Sequence, residues 1–567
     1  MKRTSIFVAI AIVCAGIGWA AHLSANPGEP SLSKFIPAGP LLYLEAKDFS
    51  SLLTDWNSSS QKKQWIKSSH YDVFSRSRLF LRLDGARSQF ASAAGLPPDM
   101  DFLTQVAGTQ SALALFDIGN LEFLYITYLP SAKAMRTTLW QTRTKFEPRS
   151  AGGVDFYVRR DPESQRQVAF AIAGDYLLLA TREDLLAGAL QLISGSQNLT
   201  VESESWWSQS VAAAASQGDL RMVLNLGKIV PSPYFRTYWV QQNITDLSQY
   251  SAAVSDLFRS DNQYREERVL IRKTPAVASS ADGTQAAADL VRLVPDNAGV
   301  YETKAQPSAN SCFDLLETKL LAPHLGPAQP SQIAPQVQLT SGETGASSDF
   351  ETRIDQSPAQ RPVAPQSTSA LKELLDKTQI LASLQAQSTE RDKAGVFVRI
   401  HAAIGLSAAS DWNEASVRNA LADFVRPGLT ASQLGVIWQQ ETGYLQFDGL
   451  WKLLVSVRGK YLLLSDDPAL MSSMLSNFDR KSPAKPAVLL AGFKHSRERA
   501  NFARFFSVAD RLDMAQSEDP GMPRQPQFFS DNMTSLSTVL ADVSAERIVV
   551  HTDGDRVLQT VTYEWSQ

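Results

Sequence analysis

The chain has 567 residues, too many for one ordinary core, so length alone asks for two large domains or several smaller ones. Apolar residues make up 44% and charged residues 20%, and the mean hydropathy of −0.16 excludes a polytopic membrane protein. A net charge of −4 without any long basic run excludes a nucleic-acid-binding footprint.

The first element is an export signal. Lys2 and Arg3 precede an apolar stretch from Ile6 to about Ala21. Two outcomes stay open for residues 1–25. Gly18, Trp19 and Ala20 suit cleavage after Ala20, and the same run is about long enough to remain as a membrane anchor. Cys14 invites a lipoprotein reading, but Val13 stands where a small residue is wanted. With Lys2 and Arg3 inside, the remainder is expected in the periplasm or on the outer face of the cytoplasmic membrane. Beyond the signal only Cys312 remains, so no intrachain disulfide can form, and a buried, inert thiol is expected.

A strand opening follows: Ile36-Pro37, then Tyr43 six residues after the proline inside an apolar run. Strand-like segments come next at 121–129, 168–172 and 175–180. The short turn between the last two predicts an antiparallel meander. The stretch GDYLLLATREDLLAGAL, from Gly174, reads as a turn, a buried strand and an amphipathic helix. Thr181 is expected to cap that helix, with Asp184 in a capping-box-like position. A strand at 219–226 and two more at 250–258 and 267–272 complete this half.

The second half repeats these landmarks. Val294-Pro295 leads to Tyr301, and GKYLLLSDDPALMSSML, from Gly459, matches the earlier stretch at seven of 17 positions without a gap. Here Asp467 is expected to cap, with Pro468 at the first helical position. Ala487 to Phe493 answers the strand at 219–226, with a helix-like run to about Leu512. Segments 536–543, 547–552 and 556–565 close the chain, with Asp553-Gly554 as a hairpin turn. The landmarks are offset by 258 residues at the prolines and 285 at the glycines, which calls for an insertion. Residues 321–368 supply it, with seven prolines among Ser, Gln, Thr, Gly and Ala, a composition expected to stay disordered.

The expected fold is therefore α+β. Two homologous modules with antiparallel meander sheets packed by helices arise from internal duplication. Module 1 spans residues 35–273, an Ala/Ser/Gly/Thr-rich linker spans 274–291, and module 2 spans 292–567.

Chemistry is scarce. No dinucleotide fingerprint, Walker loop, zinc-protease motif, EF-hand loop or nucleophile elbow occurs. The six histidines are scattered singly, so no zinc site is expected. Ser31 with Lys34 and Ser59 with Lys62 match a Ser-Lys pattern of the kind chance supplies in a Ser-rich chain. Trp56, Trp65, Trp206 and Trp207 lie in amphipathic stretches, where core or interface packing is expected; a stacking surface is the alternative. Lys62, Lys63 and Lys67 read as a solvated helix face, with anionic lipid heads as the alternative. No catalytic, cofactor-binding or metal-ligating residue is expected, and no cofactor.

The export signal, the Pro-to-Tyr openings at Pro37 and Pro295, the Gly-x-Tyr-Leu-Leu-Leu units and the closing hairpin ending in Tyr563-Glu564-Trp565 together resemble a bacterial extracytoplasmic family of unknown function, the DUF3352 type. The resemblance implies no activity and no site residues. The leading functional expectation is a non-enzymatic envelope protein that binds an envelope protein or lipid, or supports assembly. The membrane is a partner through an uncleaved N-terminus, and nucleic acid is not a partner. A solute- or lipid-binding protein using a cleft between the modules is the first alternative. A hydrolase without a recognisable motif is the second.

Overall fold

A computed structural model describes residues 31–67, 71, 75–76, 78–233, 247–260, 263–275, 279–321, 369–391, 398–429, 437–448, 452–498, 501 and 543–565. The expected export signal at 1–25 lies outside them. So do nearly all of the expected insertion at 321–368 and most of the helix-like run toward Leu512 and of the segment 536–543. Contacts divide the chain into two units. Unit 1 holds residues 1–67, 71–259 and 266–275, and unit 2 holds the remainder. The architecture is α+β with antiparallel strands.

Unit 1 contains strands β1 (Leu42–Ala46), β2 (Ser111–Asp117), β3 (Glu122–Tyr128), β4 (Glu147–Ala151), β5 (Val154–Arg160), β6 (Gln167–Ala173), β7 (Tyr176–Ala180), β8 (Leu220–Leu224), β9 (Tyr250–Arg259) and β10 (Gln263–Arg272). Their order across the sheet is β10-β9-β8-β1-β2-β3-β7-β6-β5-β4. Unit 2 contains β11 (Val300–Ala305), β12 (Ile380–Arg391), β13 (Val398–Ala408), β14 (Ile437–Gln440), β15 (Leu445–Asp448), β16 (Leu453–Arg458), β17 (Tyr461–Ser465), β18 (Leu489–Phe493), β19 (Val543–Asp553) and β20 (Arg556–Trp565). Their order is β20-β19-β18-β11-β12-β13-β17-β16-β15-β14. The two orders are the same, strand for strand.

The glycine turns explain the tight hairpins. Gly174 (φ 59°), Gly459 (φ 55°) and Gly554 (φ 61°) each take the first place of a two-residue loop, the geometry of a type II′ turn. That φ strains any residue with a Cβ.

Each sheet has two faces. In unit 1 one face carries Tyr43, Ala114, Leu124, Ile126, Leu178 and Ala180, all fully buried. Over it lie helices α5 (Glu183–Ile193) and α6 (Ser205–Ala213), whose Trp207 ring meets Tyr43 edge-on at 4.7 Å. In unit 2 the matching face carries Ala382, Leu384, Ala386, Ala403 and Leu463, under helices α7 (Ala281–Leu290) and α11 (Pro468–Ser476). The expected linker at 274–291 thus contains a helix. Its small apolar residues Ala286 and Ala287 let it sit close to the alanines of the sheet, which burial of both confirms.

The second face differs between the units. In unit 1 it lies under helices α1 (Phe49–Ser58), α3 (Arg78–Ala94) and α4 (Met100–Val106), with the short α2 (Ser60–Ile66) following α1. In unit 2, helices α8 (Ala309–Leu316), α9 (Ser369–Lys377) and α10 (Glu414–Leu429) close onto β13, β15, β16 and β17.

The helix caps depart in part from expectation. Asp467 accepts the Leu470 N–H at 2.8 Å and Pro468 opens α11. In unit 1 the residue before α5 is Arg182, and no side chain caps the helix. Thr181 Oγ1 instead accepts the Phe123 N–H at 2.9 Å, because β3 offers that donor at the strand end. Asp466 does the same for the Ala402 N–H, also at 2.9 Å.

Candidate binding cavity

On the second face of unit 1 the helices leave a cavity of about 550 Å³, inside the range of roughly 300–1,000 Å³ typical of ligand pockets. Alternation along the strands sets its floor. Leu44 pairs with Leu113, Leu113 with Tyr125, and Tyr125 with Leu179, so these side chains share one side of the sheet. Leu115 and Phe123 continue the row. The roof comes from Phe49 of α1, Leu83 and Phe90 of α3, and Phe102, Leu103 and Val106 of α4. Asp99 caps α4 by accepting the Phe102 N–H at 2.9 Å, which fixes where that ring enters. Phe90 meets Phe102 edge-on at 6.1 Å and stacks on Phe123 at 6.4 Å.

The cavity's inner polar groups are already matched. Tyr125 donates to the Val106 carbonyl at 3.0 Å, and its oxygen lies 3.2 Å from Ser111 Oγ. Ser111 and Thr127 share a hydrogen bond of 2.6 Å, and Thr127 Oγ1 accepts the Gly108 N–H. Burial pushes the Tyr125 phenol above its ordinary pKa, so it stays neutral. A ligand here meets apolar surface, because the interior polar atoms have partners.

The exposed lining residues Leu83, Arg87, Gln89 and Asn120 mark a rim at the β2–β3 hairpin end. Arg166 joins them, donating from Nε to Gln89 Oε1 at 2.9 Å and from Nη1 to the Asn120 carbonyl at 2.6 Å. Leu121, also at the cavity, has φ 52°, and Gln165, beside Arg166, has φ 59°. Each left-handed residue of this kind costs about 1 kcal/mol or more and is held only by its surroundings.

In unit 2 the positions of Leu44, Ala46, Leu113 and Leu115 hold Glu302, Lys304, Gln385 and Gln387. Glu302 and Lys304 are exposed there. The fold therefore does not require apolar residues at these places.

A second cluster lies on the other face of unit 1. Tyr43 donates to Glu45 at 3.0 Å, and Gln110 donates to the same carboxylate at 2.8 Å. Burial, with Glu45 beside it, pushes the Tyr43 phenol well up. Arg221 holds Asp256 through two hydrogen bonds of 2.8 and 2.9 Å, and the Gly218 N–H adds a third. These groups are mutually satisfied, and of them Glu45 alone also lines the cavity.

The residues singled out in the sequence do not come together. Ser59 Oγ accepts the Lys62 N–H at 3.1 Å as the cap of α2, and Ser31 Oγ lies 2.6 Å from Ser33 Oγ. Trp206 and Trp207 are buried as expected, but Trp56 is 46% exposed, because α1 turns that side to solvent. Cys312 is buried, and burial pushes its thiol up to about 12. His401, His495 and His551 are described and lie apart along the chain, and among the described residues no group of His, Cys, Asp or Glu is placed to hold a metal ion. No helix of the described residues is long and apolar enough to cross a membrane. Sequence reasoning missed the cavity, although the apolar alternation of Leu42, Leu44, Leu113 and Leu115 against Val300, Glu302, Gln385 and Gln387 was there to compare.

No family model and no curated protein matches the sequence. Two solved structures of TP0453 are similar to it. Crystal form I is 13% identical, with a TM-score of 0.24 over 44% of this chain and 82% of its own. Crystal form III is 11% identical, with a TM-score of 0.23 over 47% of this chain and 87% of its own, and at such scores the likeness carries no argument.

Proposed function

We propose that unit 1 is a binding module for an apolar, chain-like ligand, and that the protein acts by holding this ligand rather than by turning it over. One observation carries the reading. The floor of the cavity holds Leu44, Ala46, Leu113 and Leu115 where the register-matched floor of unit 2 holds Glu302, Lys304, Gln385 and Gln387. Each leucine facing an unfilled space forgoes part of the roughly 1.5–3 kcal/mol that full burial supplies, and a ligand restores it. The repeated sequence and shared strand order support descent of both units from one module, with ligand binding confined to unit 1. The export-type N-terminus supports an envelope location, where acyl chains are abundant.

The test is saturation binding of a neutral, polarity-sensitive naphthylamine dye to the full chain. The wild type should bind one equivalent. Leu113→Gln with Leu115→Gln, residues that unit 2 itself carries, should weaken binding at least tenfold, since each leucine contributes of order 1 kcal/mol or more. Ala86→Phe, which fills the cavity from α3, should do the same while leaving the melting temperature unchanged or raised. Dye binding that survives both changes sinks the proposal.

A further inference from the structure

The rim residue Arg166 gives the ligand a chemical class. We infer that the ligand is an amphiphile whose anionic head, a carboxylate or a phosphate ester, is held by Arg166 while its chain enters the cavity; this rests on the binding role proposed for unit 1.

Three observations converge on it. First, Arg166 is half-buried, lines the cavity and is fixed from two sides. Its Nε reaches Gln89 of α3 and its Nη1 reaches the Asn120 carbonyl of the β2–β3 loop. Both acceptors are neutral, and among the described residues no carboxylate pairs with it. Some arginines of unit 1 are neutralised, Arg182 by Glu122 and Asp184, Arg221 by Asp256, Arg259 by Asp55. At the rim itself, Arg87 is paired with Asp84 at 2.8 Å, and Asp117 accepts the Asn120 N–H at 2.9 Å. Of the two described cations that line the cavity, Arg87 and Arg166, Arg166 is the one without a counter-charge among the described residues.

Second, the loop that presents Arg166 is braced. Ser164 N–H and Oγ both donate to Asp161 Oδ2, at 2.8 and 2.6 Å, and Asp161 N–H donates to the Arg166 carbonyl at 2.8 Å. Gln165 takes its left-handed φ of 59° inside this brace. A guanidinium held this way offers parallel N–H donors to a planar or tetrahedral oxyanion with little further ordering.

Third, the polarity of the cavity is one-ended. Its interior polar atoms already have partners, Tyr125, Ser111 and Thr127 around one another and the Glu45 carboxylate from Tyr43 and Gln110, so an anionic head has no place inside. The strands run from Ser111 at the inner end to Asn120 at the rim, which gives a slot with a charged mouth and an apolar body. An uncharged hydrocarbon would leave Arg166 half-buried and unpaired, while a fatty acid or a monoalkyl phosphate satisfies both ends.

The experiment is displacement of the neutral naphthylamine dye from the full chain by three probes of equal chain length: hexadecanoate, hexadecyl phosphate and hexadecanol. Charge-assisted hydrogen bonds to a held guanidinium predict that one or both anions bind about tenfold tighter than the alcohol, or more. Which anion is preferred separates a fatty-acid source from a phospholipid-like one. Arg166→Gln should remove the preference, bringing the anions to within about threefold of hexadecanol, and Arg166→Lys should keep part of it. Equal binding of anions and alcohol by the wild type overturns the inference while leaving the binding role intact, and so does a preference that survives Arg166→Gln. If none of the three displaces the dye, the binding role itself falls.

Discussion

β1 and β2 in unit 1, and β11 and β12 in unit 2, occupy the same places in the same strand order, yet their outer faces have opposite character. On the inner faces the two units agree. Leu178 and Leu463 stand at matched register positions, and both are fully buried beneath a helix that follows the same glycine turn. On the outer faces unit 1 has Leu44, Ala46, Leu113 and Leu115 beneath a cavity, and unit 2 has Glu302, Lys304, Gln385 and Gln387. The inner face is what the fold needs, since it is kept in both units. The outer face is where the two units differ, and half-buried leucine facing an unfilled space is unfavourable unless something covers it.

The comparison can be broken most directly at the inner face. Leu178→Ala and Leu463→Ala should each cost about 2–5 kcal/mol, because both remove a fully buried side chain from a close-packed layer. Denaturant titration of the full chain reads this as a loss of stability in the unit concerned. A cost under about 1 kcal/mol in one unit alone would show that the shared face is not equally structural.

The strand-to-helix corner gives a smaller effect. Thr181→Ala removes an acceptor for the Phe123 N–H, and Asp467→Ala removes the cap on Leu470; each should cost about 1 kcal/mol. Arg182→Ala should cost less, since Arg182 caps nothing and its pairs with Asp184 and Glu122 are partly open to solvent. Thermal melts rank the three, and an Arg182 effect equal to that of Asp467 would contradict the different capping in the two units.

The smallest effect concerns pH, and only unit 2 should show it. His401 lies 3.6 Å from Asp466, too far for a hydrogen bond, and 3.5 Å from Glu390. The Asp466 carboxylate holds the imidazole pKa above its ordinary value, against the pull of burial. A raised folded pKa means that the stabilisation is fully present below about pH 6.5, the unfolded value, and fades as pH rises through the folded one. His401→Asn should therefore lower stability near pH 5.5 by under about 1 kcal/mol and leave it unchanged near pH 9. A loss that is equal at both values would rule out the ion pair as its cause.

The sequence made the inner layer legible because its signals are local. Tyr176 to Ala180 is a continuous apolar run bounded by a glycine turn, and the expected Asp553-Gly554 signal marks the closing hairpin, although the loop itself is Gly554-Asp555 because Asp553 still pairs with Arg556. β12 was hard to read, since ILASLQAQSTER puts alanine on one face and glutamine or serine on the other, a weak apolar alternation. Ala281 to Leu290 read as a linker because alanine, glycine and threonine are also loop residues; only the sheet's own alanines make a close helix favourable. The cavity was illegible for a different reason. Its walls come from residues between Leu44 and Leu220, and a cavity is a place where packing is missing, which no pattern along the chain encodes.

Cys312 has a practical consequence. It sits in the closed outer layer of unit 2 with its thiol protonated and covered, and beyond the N-terminal stretch no other cysteine occurs. Its reaction with a thiol reagent therefore times the opening of unit 2 alone. A ligand seated in unit 1 that slowed this reaction would reveal mechanical communication through the polypeptide, and one that left it unchanged would show two independent folding blocks.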